Sequence, residues 1–133
     1  MTPGGGSGRT VRADRAVRAG RLTKARQFLQ VADDARALAE PGEVQDAAVT
    51  LYVHAGIAAA DAICAAALGE HAQGQDHRHA VALLATVDQS AASQLSTLLG
   101  MKTRAGYGHD PMTETAVTRA ARAARALVER ALL

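Results

Sequence analysis

The segment KTRAGYGHDP, residues 102–111, holds Arg104 and His109 on either side of four intervening residues, two of them Gly106 and Gly108. These residue types make one chemistry available. A guanidinium offers a planar fork of donors suited to phosphate oxygens, and an imidazole gives or takes a proton near neutral pH. The glycines let the loop backbone pass close to a bulky ligand. Asp110 and Pro111 then read as the N-cap and first position of a new helix, whose free N–H groups would add an anion site beside His109. Phosphate binding combined with proton transfer is what RNA cleavage without a metal requires. The ribose 2′-OH attacks its own phosphodiester, a base takes the hydroxyl proton, an acid protonates the leaving oxygen, and a cation stabilises the phosphorane. The same pair also has a purely structural use, with Arg104 bound to a carboxylate and His109 helping to cap a helix.

The elements around this segment are helical by composition. Of 133 residues, 48% are apolar but only 2% aromatic. Alanine dominates, and it is both the best helix former and small enough to let helices pack closely. The length suits one domain with a core of its own. Residues 1–9, rich in glycine, read as a disordered tail, and residues 10–133 as a single all-α domain. Apolar residues at spacings of three and four predict a helix from about Thr10 to Leu38, ended by AEPGE. A second runs from about Val44 to Leu68, apolar nearly all round and therefore central, and stops at Gly69. Asp76 is the expected N-cap of a third, which VDQSAAS kinks or divides. The last begins at Asp110–Pro111 and reaches about Leu132. An antiparallel bundle of four or five helices follows, with no strand.

Charge is polarised along the chain. Residues 1–26 carry seven basic side chains against Asp14, residues 27–101 have a balance of −7, and residues 102–133 one of +3, although the net is only +2. A basic surface is thus available to a polyanion. On the last helix Arg119 and Arg122 would extend a phosphate-binding track, while Arg125–Glu129 reads as an i,i+4 pair. The few aromatics argue against recognition by base stacking. Cys64 is alone, which excludes an intrachain disulfide and suits a reducing cytoplasm. Its surroundings, DAICAAALG, suggest an inert buried thiol. No apolar run of transmembrane length is evident and no signal-peptide core precedes the domain, so a cytoplasmic protein without membrane contact is expected.

Thr50, His54 and Asp61 share a face of the second helix at spacings of four and seven. A carboxylate among alanines needs a partner, and Asp61 is expected to support Arg104 or His109, or else to make a structural bond. His54 reads as a satisfied core histidine or a supporting residue of the site. Tyr107, inside the loop, would pack it or touch substrate. His71, His77 and His79 lack regular ligand spacing and any cysteine pair, so no metal or other cofactor is expected.

RAGYGH, joining two consecutive helices, resembles the R-x4-6-H motif of the HEPN superfamily (higher eukaryotes and prokaryotes nucleotide-binding). RLTKARQFLQVADDA, AAVTLYVHAGIAAADAICAAALG and HRHAVALL also resemble bacterial HEPN proteins, so the likeness covers roughly residues 20–132. It implies a helical bundle that forms a homodimer, with two Arg–His pairs facing one cleft and Arg104 and His109 as catalytic residues. Many relatives are metal-independent endoribonucleases of toxin–antitoxin, CRISPR or phage-defence systems. RNA and a cognate antitoxin or nucleotidyltransferase are the partners this suggests. Other members only bind, so the alternative is a non-catalytic dimer that serves as a nucleotide- or RNA-binding or accessory module. Two departures stand out. Ala105 follows the arginine where many active members carry a polar residue. The tyrosine two positions after the histidine, the target of partner nucleotidyltransferases, is also missing.

Overall fold

The computed structural model describes residues 9–74 and 76–133; the expected Gly-rich tail lies mainly in residues 1–8, outside them. The fold is an all-α bundle. Its long members are α1 (Arg15–Leu38), α2 (Gln45–Leu68) and α6 (Glu114–Ala131), and α3 (His77–Ala85), α4 (Gln89–Leu99) and the short α5 (Lys102–Tyr107) complete it. Counting α3 and α4 as one divided arm gives the expected four or five helices.

Local chemistry sets the boundaries. Asp14 caps α1 by accepting from the Val17 N–H at 2.9 Å, so this helix begins later than the apolar pattern suggested. Gly69, at φ 69°, ends α2 in the left-handed region, where a side chain would be strained. The kink expected at VDQSAAS is a full break, because Asp88 accepts from the Ala91 N–H at 2.9 Å and starts α4 as a new helix.

α2 is the centre of the bundle, buried on several sides by α1, α4 and α6. By length and composition it could cross a bilayer, contrary to the sequence reading, yet 67% of that stretch is buried inside the fold. Its alanines, among them Ala48, Ala55, Ala59 and Ala62 with no exposed surface, let the neighbours approach. Gly56 permits the closest approach: a Cβ there would overlap Leu98 Cδ1 of α4 and lie 3.3 Å from Leu127 Cδ1 of α6. Tyr52, the bulkiest fully buried side chain, donates its hydroxyl to Asp33 at 2.6 Å and accepts from Arg36 at 3.5 Å. That network satisfies a phenol that would otherwise be orphaned in the core.

One expectation fails. Residues Thr10–Arg12 (β1) and Glu70–Ala72 (β2) form a two-stranded antiparallel ribbon, with Val11 opposite His71. Gly69 turns the chain out of α2 and its carbonyl receives the Ala13 N–H at 2.8 Å, while Arg9, assigned to the tail, accepts from the Gln73 N–H at 2.9 Å. Three-residue strands are too short to show alternation, and the arginines and alanines around β1 look helical.

Candidate functional site

The segment carrying Arg104 and His109 is an exposed span between two buried anchors. Met101 and Ala105 fix its near end against the core, and Met112, 3% exposed, fixes its far end. The Met112 N–H also donates to the Asp46 carboxylate, in the first turn of α2, at 2.7 Å. Between these points residues 106–111 are all exposed, as is Arg104. Arg104 lies in the last turn of α5, as expected, and its carbonyl accepts the Gly108 N–H at 3.1 Å. Among the described residues neither the Arg104 nor the His109 side chain makes a hydrogen bond or ion pair. Tyr107 is 83% exposed, so it does not pack the loop.

The two loop glycines differ. A Cβ on Gly108 would lie 2.8 Å from the Arg104 carbonyl oxygen, a backbone atom that cannot swing aside, whereas a Cβ on Gly106 meets nothing within 4 Å. Gly108→Ala is therefore expected to displace the loop and cut any Arg104/His109-dependent activity, while Gly106→Ala leaves it near the parent value. Comparing the rates of the two variants checks this, and equal rates would contradict it. Asp46→Ala removes the far tether and should lower the same activity while the helical circular-dichroism signal is retained.

The helix-start expectation is corrected. Thr113, not Asp110, caps α6, accepting from the Ala116 N–H at 3.1 Å. His109 therefore sits four residues ahead of the cap. The first turn of α6 already holds Glu114, bound by Arg36 at 3.4 Å and Gln45 at 2.9 Å. An acidic side chain there complements the helix dipole and opposes a second anion.

Arg119 and Arg122 lie on the exposed side of α6. Arg125 pairs with Asp33 of α1 rather than with Glu129, and Arg130 binds Asp88 at 2.7 Å. Cys64 is buried, and burial pushes its thiol up to about 11, as an inert cysteine requires.

Asp61 and His54 belong elsewhere. The Asp61 carboxylate is held by Arg21 Nε at 3.3 Å and faces His71 Nδ1 at 3.8 Å, so within this chain its partners are not the motif residues. His54 is exposed rather than a core histidine, with its ring 5.5 Å from that of Phe28. His71 and His77, weighed above as metal ligands, line the same cavity as His54 and Asp61. Among the described residues no group of three His, Cys, Asp or Glu side chains is placed to hold a metal ion.

Burial raises the Asp61 pKa, and the opposing charges of His71 and Arg21 only partly offset this. A carboxylate raised on folding holds its proton better in the folded chain. Its contribution is fully present below the unfolded value of 3.8 and is lost as pH rises through the folded value. The stability of the parent relative to Asp61→Asn should therefore fall as pH rises from mildly acid to neutral, read as urea midpoints at each pH. A difference that grows with pH would reverse the assignment.

Asp46 and Arg21 were not legible as site residues, and the pairing of His71 with Asp61 was not either, because these contacts join residues far apart in the chain. No protein-family model and no curated protein matches this sequence, so the reading of the site rests on these residues and their placement.

Proposed function

We propose that this protein is a metal-independent endoribonuclease of the HEPN toxin or defence type, acting in the cytoplasm as a homodimer. The observation that carries the reading is the exposure of Arg104 and His109, both without a partner among the described residues, on a span tethered at both ends. A structural arginine would be bonded internally, as Arg36 is with Tyr52 and Glu114. A pair kept free at an anchored surface is ready for a ligand, and ordering it in advance reduces the entropy lost on binding.

The chemistry assigns the roles. Arg104 binds the scissile phosphate and stabilises the charge that builds on the phosphorane. His109 removes the 2′-OH proton, the new O–P bond closes a 2′,3′-cyclic phosphate, and the 5′-oxygen departs with a proton from a second acid. One chain supplies one such histidine. A two-fold interface presents the same loop twice, giving one His109 as base and the other as acid and doubling the arginines. Arg119 and Arg122 extend the basic track for the flanking RNA backbone. An antitoxin or other regulatory partner would cover this surface.

The test is labelled RNA incubated with the purified protein in excess EDTA. Products ending in a 2′,3′-cyclic phosphate, formed only by the dimeric fraction, are expected. A stable monomer, or a dimer with its two loops on opposite outer surfaces, would overturn the mechanism.

A further inference from the structure

A cavity of about 460 Å³ opens between β2, α2 and α3, closed further by residues of α1, α4 and α5. That volume lies in the range of small-molecule sites. Its polar wall is made by Arg21, Asp61, His71, His54, His77 and Lys102. Ile57, Leu95 and Leu99 add apolar lining, so the cavity offers both charged and apolar surface.

The polar wall is biased toward an anion. Asp61 is its one carboxylate among the described residues, and that charge is already directed at Arg21 and His71. Arg21 meets Asp61 through Nε, and a guanidinium has four further N–H donors on its terminal nitrogens. Its side chain is 37% exposed. His71 Nδ1 lies 2.8 Å from the Ala72 carbonyl oxygen, a contact that puts a proton on Nδ1 and fixes the ring's orientation. Burial and the neighbouring Lys102 hold the His77 pKa below its ordinary value, with Asp76 opposing.

We propose that this cavity is a binding site for a small anion with an apolar body, the anionic head on Arg21 and the body against Ile57, Leu95 and Leu99, with His54 and His77 among the lining residues. A cationic ligand would meet Arg21, and a fully apolar one would leave the ion pair desolvated without compensation. The site is separate from the Arg104–His109 span, neither of whose residues lines it.

The experiment is a titration of protein labelled at its histidine rings with phenyl phosphate and, separately, benzoate, with benzylamine as the cationic control. Either anion should move the ring resonances of His54 and His77 saturably at millimolar concentration and raise the melting temperature, and the stronger of the two identifies the head group. Arg21→Gln should weaken binding about ten-fold or more. Because that change also disturbs Asp61, His77→Gln, at the start of α3, is the second variant and should weaken binding with the fold retained. The proposal is overturned if neither anion moves these resonances, if benzylamine moves them equally, or if both variants bind like the parent. RNA cleavage is not read in any arm, so the outcome is independent of the proposed nuclease.

Discussion

His109→Ala is expected to reduce RNA cleavage by at least about 10²-fold, the usual scale for losing a positioned acid or base. The ring is exposed and bonds to nothing among the described residues, so its removal should leave the melting temperature unchanged. Arg104→Ala should cost a comparable factor by removing the cation at the phosphorane, and Arg104→Lys should recover only part of it, because a lysine cannot make the bidentate contact. Mixed dimers decide the shared-site geometry. If both histidines serve one reaction, a heterodimer of His109→Ala with the parent chain falls well below half of parental activity. Half-activity would mean that each loop works alone. Cleavage that survives both single substitutions would remove the motif from catalysis.

Leu98→Ala is expected to destabilise the fold by about 2–5 kcal/mol, the range for a fully buried leucine that leaves a cavity behind. Gly56→Ala, on the facing surface of α2, introduces a methyl group that overlaps Leu98 Cδ1. Alone it should cost about 1–3 kcal/mol through overpacking, less whatever alanine gains over glycine in a helix, about 1 kcal/mol. Combined, the two changes should be less damaging than their sum, since the new methyl group fills space that Leu98 vacates. A coupling of about 0.5–3 kcal/mol between touching residues is the expected scale. Urea unfolding of the four proteins measures it, and strict additivity would show that Gly56 is not the contact point between α2 and α4.

Much of this molecule was written in the chain itself. Alanine content with apolar spacings of three and four placed the long helices, because those patterns act within a few residues. Gly69, Asp76 and Asp88 mark boundaries through backbone preferences and short-range caps that need no tertiary partner. The all-round apolar character of residues 45–68 identified the central helix, and the setting of Cys64 identified an inert thiol. The chemical character of Arg104 and His109 was legible too, and the helix turn carrying Arg104 was found where the glycines ended the pattern.

Tertiary structure decided what those residues can touch. The N-terminal helix yields its first residues to a ribbon because β2, nearly sixty residues away, supplies the missing hydrogen bonds. Thr113 rather than Asp110 caps α6, since the chain must first bury Met112 and give its N–H to Asp46. Asp61 among alanines needs a partner, and Arg21 and His71 supply it in place of the expected Arg104 or His109. Arg125 prefers Asp33 across the helix interface to Glu129 on its own helix. Each correction has one cause. Propensity and capping are properties of neighbours in sequence, whereas the partner of a buried charge, and the exposure of a loop, depend on which surfaces the packed helices bring together.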